Sequence, residues 1–304
     1  MKIIGTEDIK LENTVVTIGK FDCFHKGHQL LFKTAAEMKT DGMEQVIFMF
    51  DIRSGMAGRE DVKYIVSRQE RRKLALGYGI DHCVEYPFTE ETRKMTPEEF
   101  VCKVLIGKLG VKAAVAGDDF RFGINRSGDA DTLVQLGRKY GFDVRIVERL
   151  KYKGREICST DIRAELEKGN IADVNEMLGR PYSISGQIIE GAHVGTGMGI
   201  PTINIDIPDD KLLPPFGVYA TKTVMDGTEY VSITNIGKRP TFYDDSKTVA
   251  ETFILDIEGN LYGKDVRVDL YEHVRDEKKF ESAKALYGQI SKDVQTVRDY
   301  FRQF

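Results

Sequence analysis

The stretch Val15-Val16-Thr17-Ile18-Gly19-Lys20-Phe21-Asp22-Cys23-Phe24-His25-Lys26-Gly27-His28-Gln29-Leu30-Leu31-Phe32 decides how the first half of this chain folds. Val15, Val16 and Ile18 form an apolar run of strand character, and over residues 29–38 Leu30, Leu31, Phe32, Ala35 and Ala36 recur at helical spacing. A buried strand therefore feeds a helix that begins near Gly27. The turn between them carries His-x-Gly-His. There the unpaired N–H groups and the positive dipole end of the helix face an anion, His25 and His28 can each donate to a phosphate oxygen, and Gly27 lets the backbone approach closely. Two histidines three residues apart are by themselves an ordinary helix start. The preceding Gly-x-Phe-Asp and the strand-to-helix context favour a phosphate site.

Outward from this unit the alternation continues: strand 45–50, helix 67–77, strand 81–86, helix 97–109, strand 113–116, helix 131–140, strand 143–147, helix 160–168 and a short connecting helix at 171–178. Such a series predicts a parallel α/β sheet. Thr96-Pro97-Glu98-Glu99 opens its helix with capping-box spacing and a proline in the first turn. After Arg180 the character changes. Strands at 183–189, 202–206, 217–225, 229–235, 251–256 and 265–271, separated by Gly, Pro and Asp turns, predict a small antiparallel barrel. Residues 281–304 return to helical periodicity and should pack as one amphipathic helix against it. The fold class is α/β plus β-barrel, with domains at 1–180 and 181–304.

A chain of 304 residues is long enough for two cores, and 41% hydrophobic with 30% charged residues is ordinary for a globular protein. The net charge of −4 argues against a general grip on nucleic acid, so any anion site is local. The four cysteines, Cys23, Cys83, Cys102 and Cys158, form no Cys-x-x-Cys pair, which speaks against a zinc cluster and for reduced thiols. The start lacks an apolar signal core, and no run approaches the roughly 18 apolar residues of a membrane span. A cytoplasmic protein is expected.

Two further segments of the first half fall at strand ends, where open α/β sheets bind ligands. Gly117-Asp118-Asp119-Phe120-Arg121-Phe122-Gly123 follows the strand at 113–116, and its aromatics are suited to stack on a planar ring. In Ile157-Cys158-Ser159-Thr160-Asp161-Ile162-Arg163, Ser159 or Thr160 should cap a helix with Arg163 one turn in. Hydroxyls, cap N–H groups and a guanidinium together suit a triphosphate.

With these segments in view, the first half resembles the nucleotidyltransferase module of bacterial bifunctional riboflavin kinase/FMN adenylyltransferases, the FAD synthetases. The family's G-x-F-D-G-x-H-x-G-H corresponds to Gly19, Phe21, Asp22, His25, Gly27 and His28; its G-x-D-F-R-F-G to Gly117 and residues 119–123; its S-S/T-x-I-R to Ser159, Thr160, Ile162 and Arg163. The second half resembles the riboflavin kinase barrel, whose G-F-P-T-x-N reads Gly199-Ile200-Pro201-Thr202-Ile203-Asn204. Asn235-Ile236-Gly237-Lys238-Arg239-Pro240-Thr241-Phe242 matches the next block, and Arg275 with Glu277 matches the segment before the last helix.

The resemblance implies a Rossmann-like parallel α/β nucleotidyltransferase domain followed by a six-stranded antiparallel riboflavin kinase barrel with a terminal helix. It implies that Gly19, Phe21, Asp22, His25, Gly27, His28, Ser159, Thr160 and Arg163 hold ATP, with His28 and Arg163 in catalytic positions. Asp119, Phe120, Arg121, Phe122 and Gly123 would hold flavin. In the barrel, Glu251 would be the general base, Thr202 and Asn204 would ligate Mg2+, and Gly191, Gly195, Gly197, Gly199, Pro201, Thr202, Asn204, Arg275 and Glu277 would bind ATP and flavin. Riboflavin would be phosphorylated to FMN, and FMN adenylylated to FAD. The implied partners are the small molecules ATP, riboflavin and FMN, with no nucleic acid and no membrane, on a monomer or weak homo-oligomer.

Three segments depart from the family. Cys23 stands where the family has Gly, residues 51–54 read Asp-Ile-Arg-Ser where it has x-Pro-His-Pro, and the flap Gly191-Ala192-His193-Val194-Gly195-Thr196-Gly197-Met198 carries no Lys or Arg. Two alternatives therefore stay open: a monofunctional riboflavin kinase with an impaired adenylyltransferase domain, and a non-catalytic flavin-binding regulator.

Overall fold

A computed structural model describes residues 2–4, 9–51, 63–189, 202–238, 248–257 and 261–303. Its contacts divide the chain into two compact units, residues 1–159 and 160–304.

The first unit is built on a six-stranded sheet. In chain order its elements are β1 (Lys2–Ile4), β2 (Thr14–Ile18), α1 (Lys26–Glu37), β3 (Glu44–Asp51), α2 (Arg68–Gly77), β4 (His82–Pro87), α3 (Glu90–Lys94), α4 (Pro97–Phe100), β5 (Val111–Gly117), α5 (Ala130–Tyr140) and β6 (Asp143–Val147), then the small hairpin β7 (Lys151–Tyr152) and β8 (Arg155–Glu156). The strand order is β1-β4-β3-β2-β5-β6 and every pair is parallel. Successive β2 residues point to opposite faces, and both faces are covered, so the strand is apolar without alternation. Val16 and Ile18 join Val46, Phe48, Phe100, Val104 and Leu133 on one face. Val15 joins Ile47, Leu31, Phe32, Ala35 and Ala75 on the other.

The expected helix over 97–109 differs. Four residues of α4 continue as a π-helical turn, Val101–Ile106. Gly107 N–H donates to Cys102 O and Leu109 N–H to Val104 O, each at 3.0 Å. The wider turn keeps Val101, Val104 and Leu105 all buried.

The second unit holds α6 (Ser159–Glu167, from its second residue), α7 (Ile171–Leu178), β9 (Tyr182–Ile189), β10 (Thr202–Ile205), β11 (Gly217–Met225), β12 (Thr228–Lys238), β13 (Thr248–Ile254), β14 (Asp265–Asp276) and α8 (Ala283–Phe301). The six strands close as β10-β13-β12-β11-β14-β9. The strand expected at 251–256 is shifted: β13 starts at Thr248, because residues 248–250 pair with 236–238 of β12. The barrel interior carries a chain of buried hydroxyls. Thr221 Oγ1 lies 2.8 Å from Ser232 Oγ and 3.0 Å from Thr234 Oγ1, Thr223 Oγ1 donates to Ser232 Oγ at 2.8 Å, and Thr234 and Thr252 are 2.9 Å apart.

Outside the barrel, the fully buried Val297 of α8 packs on Val218, Ala220 and Ile233. Two register shifts between β11 and β14 accompany contacts of β14 with α8: Tyr271 meets the Phe301 ring at 5.1 Å, and Val274 packs against the Val297 cluster. Arg275 locks the helix down through Asp293, with Nε at 3.0 Å and Nη2 at 2.8 Å from Oδ2. The α7 helix is tied to the barrel by Asn175, which donates to Leu270 O and accepts from Tyr182 N–H. No helix among the described residues is long and apolar enough to cross a membrane.

Candidate functional site

From β2 the strand order runs outward in both directions, so the crevice at the C-terminal ends of β2 and β5 is a topological switch point. The His-x-Gly-His turn leaves β2 there, and the Asp-Phe-Arg-Phe-Gly segment leaves β5.

The turn after β2 is shaped from beneath by aromatics. Phe21 and Phe24 adopt left-handed angles, φ 46° and 50°, which bulky residues take only where their surroundings enforce it. Both rings are fully buried and lie 5.2 and 5.1 Å from Phe32. Phe21 thus contributes to the site by fixing the loop, since no part of it reaches the surface. A Cβ at Gly19 would lie 2.9 Å from the Phe21 ring, and one at Gly27 would lie 3.1 Å from the His25 ring, which is why both positions are glycine. His25 is the N-cap of α1. Its Nδ1 accepts from His28 N–H at 3.2 Å, which leaves the proton of the neutral ring on Nε2. The two imidazoles stack with centroids 3.6 Å apart, and Asp22 is half-buried beside them in sequence.

Cys23 is fully buried with Sγ 3.5 Å from Ser159 Oγ, so this turn and the first residue of α6 meet. Ser159 and Thr160 are the first two residues of that helix, where a capping position was expected; Cys158 precedes them. Thr160 is exposed and Arg163 half-buried on α6.

After β5, Arg149 collects acidic side chains: its Nε donates to Asp118 at 2.9 Å, its Nη1 pairs with Glu156 at 2.5 Å, and Asp119 lies 4.0 Å away. The carboxylates raise the Arg149 pKa even though burial acts against them. Phe120 and Phe122 stack at 5.1 Å, interplanar angle 12°. Phe122 is buried against Phe100, so Phe120, half-exposed, is the ring of the pair with surface to offer. Arg121 is exposed, its Nη1 donating to Phe120 O. Gly123 takes φ 71° at a place where a Cβ would strike Pro97 at 2.7 Å.

On the barrel, strand register gathers residues that are far apart in sequence. Asn204 of β10 opposes Glu251 of β13, which opposes Asn235 of β12; Asn235 opposes Val218 of β11, and Val218 opposes Arg275 of β14. Directly paired residues share a face. Asn204 is 4% exposed, and its Oδ1 has no hydrogen-bond partner among the described residues. Thr202, two residues earlier, lies on the same face of β10. A buried amide oxygen left unsatisfied beside a hydroxyl fits a hard cation such as Mg2+.

Asn235 heads a block that the sequence matches to the family, but it is not singled out there as a site residue; Arg149 is a second such neighbour and stands in no motif. Arg275 has its guanidinium engaged by Asp293 and by Asp276 O. Glu277 lies over Gly237, where a Cβ would come 1.9 Å from its Oε1. Gly191, Gly195, Gly197, Gly199 and Pro201 lie outside the described residues, as do residues 52–54.

Phosphate chemistry carried on two separate scaffolds makes this a two-part transferase that uses nucleotides. A family model described as FAD synthetase matches residues 7–161, and one described as riboflavin kinase matches residues 178–301. A bifunctional riboflavin kinase/FMN adenylyltransferase of Buchnera aphidicola subsp. Acyrthosiphon pisum is 36% identical over 313 aligned residues, covering 99% of this chain and 98% of its own length. One from Listeria monocytogenes is 32% identical, covering 98% and 96%. The crystal structure of a macrolide-efflux protein from Streptococcus pneumoniae superposes with a TM-score of 0.84 at 28% identity, over 97% of this chain and 95% of that one. The chain belongs to the bifunctional riboflavin kinase/FMN adenylyltransferase family.

Proposed function

We propose that the barrel transfers the γ-phosphate of ATP to the 5′-hydroxyl of riboflavin, and that the sheet domain joins the resulting FMN to the AMP part of a second ATP. The observation that carries this reading is the row Asn204–Glu251–Asn235 on one face of the closed barrel, with the Asn204 oxygen, unsatisfied among the described residues, at its end. Efflux is not part of it, because both halves match models of flavin-converting enzymes.

In the kinase step, Glu251 accepts the proton of the ribityl 5′-hydroxyl as that oxygen bonds to the γ-phosphorus and the bond to the β-bridging oxygen breaks. Asn204 and Asn235 flank the carboxylate across the strands, with Cβ separations of about 4.5–5.5 Å, and so border its proton-accepting position. Thr202 and Asn204 would hold Mg2+, which when bound neutralises charge on the phosphates. In the adenylyl step, an oxygen of the FMN phosphate bonds to the α-phosphorus and pyrophosphate leaves, with no covalent enzyme intermediate. His25 Nε2–H, the His28 ring and the first N–H groups of α1 hold the phosphate oxygens whose charge grows. The roles of Thr160 and Arg163 rest on the family resemblance alone. Mg2+ as the resident cation, a cytoplasmic setting, and action as a monomer or weak homo-oligomer without nucleic acid complete the proposal.

The test is a time course of purified protein with riboflavin, ATP and Mg2+, separating the flavins by chromatography. FMN followed by FAD is expected. FMN that never proceeds, even when supplied directly with ATP, would refute the adenylyl half; riboflavin left unchanged would refute the kinase half.

A further inference from the structure

We propose that Cys23, His25 and His28 form a binding site for a borderline-soft divalent cation of the Zn2+ class, and that filling it blocks adenylyl transfer. The blocking half rests on the adenylyltransferase reading above; the binding half does not.

One ligand atom from each of the three residues lies within 4.8 Å of the others. A tetrahedral ion bonds sulfur at about 2.3 Å and imidazole nitrogen at about 2.0 Å, so modest side-chain movement closes the set around it. The residues follow each other as Cys-x-His-x-x-His, with no Cys-x-x-Cys pair involved. The imidazoles stack with 3.6 Å between centroids, which brings a ring nitrogen of each within the same 4.8 Å as the sulfur. Cys23 is fully buried, His25 is 7% exposed and His28 half-buried, so His28 is the one of the three with substantial contact with solvent. Three protein ligands leave a fourth position for water, or for Ser159 Oγ, 3.5 Å from the Cys23 sulfur. That is the ligand count of an exchangeable zinc ion.

Donor chemistry sorts the two cations. Sulfur and imidazole select Zn2+, whereas Thr202 and Asn204 offer only oxygen and suit Mg2+. Coordination takes the Cys23 thiol to the thiolate, its proton passing to solvent. Binding through His25 Nε2 moves that ring's proton to Nδ1 and breaks the cap bond to His28 N–H. The same Nε2–H is the donor assigned to a phosphate oxygen, so metal and nucleotide exclude each other. Zn2+ would stop FAD formation, spare FMN formation and let FMN accumulate.

The test uses the full chain stripped by chelator and titrated with Co2+ alone, then Zn2+ alone. One equivalent of Co2+ should give thiolate-to-cobalt charge transfer and tetrahedral d–d bands, both displaced by Zn2+. Cys23→Ala should abolish the thiolate band and weaken Zn2+ binding by at least about 100-fold, beyond the loss caused by an outer-shell partner; Cys158→Ala should change neither. Cys23→Ser, close in size, supplies the same comparison should Cys23→Ala unfold. With FMN and ATP, Zn2+ should inhibit FAD formation in the parent at least about tenfold more strongly than in Cys23→Ala, while riboflavin phosphorylation in the same sample reports any loss of ATP to the metal. A missing thiolate band, or one lost in Cys158→Ala, would overturn the site. Equal inhibition of parent and Cys23→Ala, or FAD formation that requires zinc, would overturn the blocking half alone; a chain that makes no FAD from FMN, ATP and Mg2+ with or without zinc would refute the adenylyltransferase reading and the blocking half with it, while leaving the cobalt spectrum to stand.

Discussion

Replacing Asp293 by Asn tests what holds the terminal helix to the barrel. The Asp293 side chain is 5% exposed and that of Arg275 15%, and the carboxylate accepts from Arg275 Nε and Nη2 and, at 2.7 Å, from Gln289. Removing one partner of such a pair leaves an uncompensated buried charge, a loss of about 3–5 kcal/mol. Arg275 keeps its bond to Asp276 O and touches solvent, so the lower end, about 3 kcal/mol, is expected. For a unit of about 145 residues, roughly 3 °C per kcal/mol puts the fall in Tm near 9 °C. Differential scanning calorimetry of the whole chain measures it. Asp299→Asn is the control, because its pair with Arg302 is exposed, at 3.4 Å, and contributes below about 1 kcal/mol. The double variant Arg275→Met/Asp293→Leu should recover most of the loss, since an apolar pair of similar volume leaves no charge buried. A shift under about 3 °C for Asp293→Asn, which is roughly 1 kcal/mol on the same scale, would show that the pair does not hold the helix.

Three other outcomes are expected. Glu251→Gln should slow riboflavin phosphorylation by about 10²–10⁴-fold while FMN is still converted to FAD, measured by chromatography of each half-reaction. Gly123→Ala should destabilise by roughly 2–3 kcal/mol in urea unfolding, because it combines a positive φ of 71° with a Cβ 2.7 Å from Pro97. Asp81 titrates below the usual carboxylate range: burial opposes ionisation, but Gln45 N–H and Lys39, each at 2.8 Å, outweigh it. A depressed folded value means stability present above the unfolded pKa of about 3.9 and lost as pH falls through the folded one, so the deficit of Asp81→Asn, under about 1 kcal/mol for this half-exposed group, should vanish in unfolding curves taken well below pH 4.

The doubly wound half was legible because its signals are local. Val15, Val16 and Ile18 announce a strand buried on both faces, and the Leu30–Leu31–Ala35 spacing announces the helix. Elements of three to five residues, such as Lys2–Ile4 and Glu90–Lys94, are too short to show a period and went unread. Phe24 was missed as a determinant of the phosphate turn because its left-handed backbone is imposed by Phe32, eight residues on, and nothing in an isolated Phe signals it. The neighbourhood of Glu251 was beyond local reading altogether. Asn204 and Asn235 reach it through inter-strand register, which depends on pairing between distant segments.

The hydroxyls inside the barrel bear on that register. Ser232 and Thr234 face inward to Thr221, Thr223 and Thr252, while Ile233 between them packs outward beneath Val297. A slip of β12 by one residue would turn two hydroxyls into the greasy contact under the helix and set Ile233 among three hydroxyls with no bonds to make. Each misplaced group would cost about 1–3 kcal/mol, so the mispaired barrel is disfavoured several times over. The hidden ladder therefore works as a key against frameshifted pairing, and it keeps Asn204, Glu251 and Asn235 in one line without touching any of them.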